Sequence, residues 1–227
     1  MNPFRRLFGK EPARTALQDF LAKLTLQDAQ ATYHSVKNEN LRLPSAISSM
    51  VLYLTNKFVA GYSDIARETS KAAGASPATI PYDAVAFEAA AYIHYWLMQE
   101  QLRMRDIEDE DEETEEGDAQ DPYFSSVKEA MHITDLLIRR YVPFSLPEQF
   151  FTNRVISYSA QSAPELFLRI LRSTHANGTP GPVKPVAASL PGDLAAISYV
   201  RIFQKSYLET LPKSVQGLCA AHQAGQL

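Results

Sequence analysis

Apolar residues recur along this chain at three- and four-residue intervals, the spacing that lines one face of a helix. Pro12 opens a segment with Ala13, Leu17, Leu21 and Leu24 on one stripe. Thr25 followed by Asp28 reads as an N-cap with an acidic first turn, ahead of Leu26, Ala29, Tyr33 and Val36. Leu43-Pro44 predicts a break, after which Ser45 caps a helix carrying Ile47, Val51, Leu54 and Phe58. Gly61 is expected to end or kink that helix, and 63–73 to form a short one closed by Gly74.

A loop from Pro77 to Pro81 precedes the most apolar helix, expected over 83–105, where Val85, Phe87, Ile93, Trp96, Leu97 and Met98 leave almost no polar face. Such a helix is enclosed by others. Its apolar run, Ala84 to Met98, is interrupted by Glu88 and His94 and falls short of the ~20 residues of a membrane span. Asp121-Pro122 is an N-cap with proline at the first helical position, and Val127, Met131, Thr134, Ile138 and Tyr141 line the stripe that follows. Ser145-Leu-Pro-Glu148 and Ser162-Ala-Pro-Glu165 both have the Ser-x-x-Glu form of a capping box and suggest a short helical hairpin. Gly178 stops a helix, and 179–192, rich in proline and glycine, is a loop. The last long helix has Ala195, Tyr199, Phe203 and Tyr207 in line, until Leu211-Pro212 breaks it before a short terminal helix. Strand alternation and hairpin turns between apolar runs are missing. The pattern predicts an all-α fold, an irregular multi-helix bundle of about eight to ten helices. A flexible basic and aromatic segment, 1–11, would precede a single helical domain, 12–227.

Charge changes this picture in one place. Between Asp106 and Asp121 lie eleven acidic residues and no basic one. Taking those eleven from the chain's 26 leaves 15 acidic against 22 basic, so the remainder carries +7 beneath a net charge of −4. A block of like charge with only Ile107 to bury reads as a disordered acidic loop, 106–121. Residues 1–10 hold Phe4, Leu7 and Phe8 beside Arg5, Arg6 and Lys10, enough for weak peripheral membrane contact but not a secretory signal. The single cysteine, Cys219, permits no internal disulfide, as expected in the cytoplasm.

Candidate chemistry is sparse. Glu129 and His132 form one Glu-x-x-His pair, whereas a carboxylate-bridged di-metal site needs two plus further carboxylates. Their face also carries Lys128, Asp135 and Arg139, so it reads as solvated, and no metal is expected. Glu88 shares a face with Tyr92, Tyr95 and Gln99, and it reads as a core carboxylate satisfied by a tyrosine or by an arginine from another helix. His94 projects about 120° away and forms no dyad with Glu88. Cys219 and His222 are three apart and lack an orienting third group. Phosphate-cradling glycine motifs are missing, so no nucleotide cofactor is expected. Pro182-Val-Lys-Pro185 is a minimal polyproline pattern that loop geometry explains more simply.

With no catalytic, cofactor or metal set to name, the chain reads as a soluble interaction or regulatory module binding another macromolecule, a protein above all. An alternative is an enzyme with scattered site residues around the apolar helix 83–105. A third reading is a weak nucleic-acid or polyanion binder regulated by the acidic loop, its basic face built from Arg139, Arg140, Arg169, Arg172, Arg201 and Lys205. A polar pocket open to solvent at Glu88 would favour the enzyme; a sealed core would favour the module.

Overall fold

A computed structural model describes residues 14–72, 74, 80–108, 122–158, 163–182 and 193–227. They form nine α-helices, one π turn and no strand among the described residues. In order these are α1 (Ala16–Leu21), α2 (Leu26–Ser35), α3 (Glu39–Ala72), α4 (Tyr82–Glu108), α5 (Pro122–Tyr141), α6 (Phe150–Ser157), α7 (Ala163–Asn177), α8 (Asp193–Phe203), a π turn (Gln204–Leu208) and α9 (Leu211–Gln223). No helix among the described residues is long and apolar enough to cross a membrane. The segment 1–11, the Ser162 cap and most of the 179–192 loop lie outside the described residues, as does the acidic block after Glu108. Residues 106–108 of that block are the last of α4, so the helix runs further than 105.

The architecture is helices packed around α4. Every residue from Ala84 to Tyr95 is buried, as the continuous apolar run requires. Helices α3, α5, α6 and α7 all lie against α4, and α6 and α7 each pack on it where a mutual hairpin was expected. The Thr15 hydroxyl, which also caps α1, donates to Asp83 Oδ1 at 2.5 Å and ties α1 to the start of α4. At α2 the expected acidic cap forms, with Asp28 accepting from the Thr25 backbone N–H.

Four local expectations are corrected. Pro44 does not break the chain: α3 runs through it as one helix of 34 residues. The missing N–H removes one hydrogen bond early in the helix, a cost of about 3 kcal/mol in a helix interior. Burial of Leu43, Ile47 and Val51, each contributing roughly 1.5–3 kcal/mol, outweighs it. Gly61 does not end α3, and the helix predicted to begin at 63 is its continuation as far as Ala72. The glycine is there for close approach. A Cβ at 61 would sit 2.7 Å from Tyr199 Cζ, and the Tyr199 hydroxyl donates to the Phe58 carbonyl at 2.9 Å. Gly61→Ala is therefore expected to unseat α8 and cost about 1–3 kcal/mol, more than alanine's intrinsic helix preference returns. A melting temperature at or above wild type would show that Tyr199 does not need this contact.

Ser145 and Glu148 do not cap a helix, because α6 begins only at Phe150. Arg139 explains the delay: its guanidinium gathers the Leu146, Pro147 and Glu148 carbonyls at 2.7, 2.8 and 3.1 Å. Carbonyls converging on one cation cannot also point along a helix axis. In the C-terminal region the expected stripe Ala195, Tyr199, Phe203, Tyr207 is replaced by Val200, Phe203 and Leu208. The π turn inserts one extra residue per turn, which carries Leu208 into the core and leaves Tyr207 37% exposed.

Candidate functional site

The helix faces bring one group of ionisable and hydroxyl side chains together inside the protein, on the facing sides of α4, α6 and α7. Glu88 enters from α4 and has no exposed surface. Arg154 reaches it from α6, with Nε 3.0 Å from Oε2. The two charges attract at that separation, but the approach angle makes no hydrogen bond, so both atoms keep bonding capacity unfilled among the described residues. The other end of the guanidinium donates through Nη2 to the Gly181 carbonyl at 2.5 Å, and its plane lies over Phe150, 5.2 Å from the ring centre.

Aromatic rings wall this pair in. Tyr92 stacks on Phe167 of α7 with centroids 4.0 Å apart and planes 5° from parallel. Tyr158, just past α6, meets Tyr92 edge-on at 5.3 Å. Trp96 stands edge-on to Tyr92 at 6.5 Å. The Tyr92 and Tyr158 hydroxyls find no hydrogen-bond partner among the described residues.

Desolvation governs the ionisation here. Burial raises Glu88 from 4.5 to about 7, although the Arg154 charge and then the Thr174 hydroxyl both favour the carboxylate. Burial also raises Tyr158 well above the ordinary phenol range, with the Glu88 charge adding to it. A carboxyl poised near neutrality has the proton affinity of a general acid or base. Both of its oxygens are sealed from solvent, however, and no part of Glu88 reaches the surface.

His94 belongs to a separate cluster, as its direction on the helix predicts. The Thr134 hydroxyl donates to the Ala130 carbonyl at 2.8 Å, which commits its one proton. It must therefore accept from Ser48 Oγ at 2.9 Å and from His94 Nε2 at 3.0 Å. That assigns the proton of a neutral imidazole to Nε2 and leaves Nδ1 an unfilled acceptor. Burial lowers His94 from 6.5 to about 3.

The remaining candidates lie outside these two clusters. Glu129 and His132 are exposed, and no group of three or more His, Cys, Asp or Glu among the described residues could hold a metal ion. Asp135 and Arg139, expected on the same solvated face, instead form a largely buried pair at 2.7 Å. Cys219 is buried, and His222 turns its Nδ1 to the Tyr33 hydroxyl at 2.5 Å. Arg139, occupied by Asp135 and three carbonyls, is withdrawn from the expected basic face.

The place of Glu88 in an apolar run calls for a tyrosine or an arginine beside it and does not say which. The signal was present: Arg154 stands between Phe151, Val155 and Tyr158 on the one buried stripe of α6. Thr174 likewise extends the stripe of Phe167, Ile170 and Leu171 on α7. Compared with protein-family models, with curated proteins and with solved structures, the chain matches none.

Proposed function

We propose that this chain is a non-catalytic helical module that binds a protein partner through the outward face of α8 and the π turn. The observation that carries the reading is the exposure of large aliphatic side chains on one helix face. Leu194 is 80% and Ile202 62% exposed, and the helix pitch places Ser198, Arg201 and Lys205 beside them. Lys57 continues the positive edge, lying 5.6 Å from the Tyr207 ring centre. Two apolar anchors flanked by cations suit a partner surface that is apolar at its centre and acidic at its rim. The sealing of Glu88 supports a binding role over the catalytic alternative, because a substrate would have to breach the aromatic wall. The cytoplasm suits this reading, since the single cysteine, Cys219, is buried and can form no internal disulfide.

The test is differential capture. Leu194→Asp with Ile202→Asp should leave the melting temperature within a degree or two, since neither side chain packs in the core. A protein recovered from lysate with wild type at low salt should then bind the purified double variant roughly 10- to 100-fold more weakly, as loss of two anchors implies. Equal binding by the variant sinks the proposed face. Retention of wild type on heparin that survives both substitutions would favour the polyanion reading instead.

A further inference from the structure

The Glu88–Arg154 pair has two members that differ in their burial. Glu88 is wholly enclosed on α4, while Arg154 sits at the core's edge with 8% of its surface open. Arg154 also bridges two parts of the chain, holding Glu88 through Nε and the Gly181 carbonyl through Nη2. Gly181 follows the end of α7, where Gly178 has the positive φ of 72° that stops the helix. The guanidinium is thus the tie between the α4–α6 core and the segment leaving α7.

We propose that Glu88 and Arg154 form a proton-operated latch: protonation of the buried carboxyl releases Arg154 and with it the segment 179–182. The direction follows from linkage. A proton favours whichever state binds it more tightly. Removing Arg154 while Glu88 stays buried takes away the charge that favours the carboxylate, so the released state has the higher proton affinity. Acid therefore opens the latch and alkali closes it. Full exposure of Glu88 would have the opposite pH dependence, because water favours the carboxylate.

The groups facing Glu88 are few. Arg154 comes from α6, Tyr158 from the residue after it, and the Thr174 hydroxyl from α7. Tyr158 stays protonated near neutrality. Tyr92, on α4 itself, reaches the same space through Tyr158. No charged side chain of α1, α3, α5 or α9 acts on Glu88 among the described residues. His94, on the same helix, is held neutral by burial down to about pH 3 and does not titrate in this range. His175, next to Thr174, is half-buried, and desolvation lowers its pKa; it is the group to control for.

Trp96, the one tryptophan, stands beside Tyr92 and reports on the cluster by its fluorescence. Wild type titrated between about pH 5.5 and 8.5 should show a single change in Trp96 emission centred near neutrality. Amide exchange over 171–182, corrected for intrinsic pH dependence, should quicken on the acid side, by roughly tenfold for each unit by which release raises the carboxyl's proton affinity. Glu88→Gln should hold the acid-side values throughout, and His175→Gln should keep the transition. Absence of any transition in wild type overturns the latch, as does one that disappears in His175→Gln or survives in Glu88→Gln. Should Glu88→Gln fail to fold, the wild-type and His175→Gln titrations still decide.

Discussion

Arg154→Ala should be the most damaging single substitution on α6, costing about 3–5 kcal/mol at pH 8. The loss comes less from the attraction removed than from the charge left behind. Without the guanidinium, a wholly buried Glu88 must either stay ionised in an apolar space or take a proton. The cost should therefore shrink toward pH 5.5, where protonation is cheap, and this dependence separates a stranded charge from a simple cavity. The double variant Glu88→Gln with Arg154→Met removes both charges and keeps most of the volume. It should recover most of the loss, because a buried pair often contributes little net stability over an apolar replacement. Urea unfolding of the three proteins at the two pH values measures all of this. An Arg154→Ala cost that is the same at both, and that Glu88→Gln does not relieve, would mean Glu88 is not the stranded charge.

The legible part of the fold was whatever periodicity and burial alone decide. The stripe Val127, Met131, Thr134, Ile138 of α5 is buried, and so is every residue of α4 from Asp83 to Tyr95. The illegible part was set by contacts between residues far apart in sequence. Pro44 carried a genuine local stop signal, overruled by the core its neighbours enter. Ser145 to Glu148 carried a genuine cap signal, overruled by Arg139 six residues before Ser145. Gly61 looked like punctuation until Tyr199, 138 positions later, explained its lack of a side chain. Tyr207 and Leu208 are both plausible core residues, and only the extra residue of the π turn selects between them. In each case a tertiary interaction outweighs the local signal.

The site followed the same division. That Glu88 would be buried and need a cationic or phenolic partner follows from its place in an apolar run. Which arginine supplies it depends on how α6 lies across α4, and that geometry has no local code. Thr134 shows the converse: read as a member of an apolar stripe, it is the hub that joins Ser48 and His94. A threonine can serve both purposes, and periodicity registers only its place on the face.

Glu88 and His94 together should also give the protein a stability profile that is flat where either alone would slope. Glu88 has its folded pKa raised from 4.5 to about 7, so its stabilising contribution is complete below 4.5 and is lost as pH rises through 7. His94 has its folded pKa lowered from 6.5 to about 3, so its contribution is complete above 6.5 and is lost as pH falls through 3. Between 4.5 and 6.5 the two slopes are opposite in sign and of equal size, and they cancel. Below 4.5 only the histidine acts, and stability should fall by about 1.4 kcal/mol per pH unit from this group. Glu88→Gln removes one slope and leaves the other. The variant should therefore gain stability with rising pH across 4.5–6.5, by about 3 kcal/mol relative to wild type over those two units. Other titrating groups, Asp83, Asp135 and His175 among them, are common to both proteins and drop out of the difference. Urea midpoints at half-unit intervals from pH 4 to 8 measure it, and parallel curves for the two proteins would mean that Glu88 does not take up a proton in the folded state within that range.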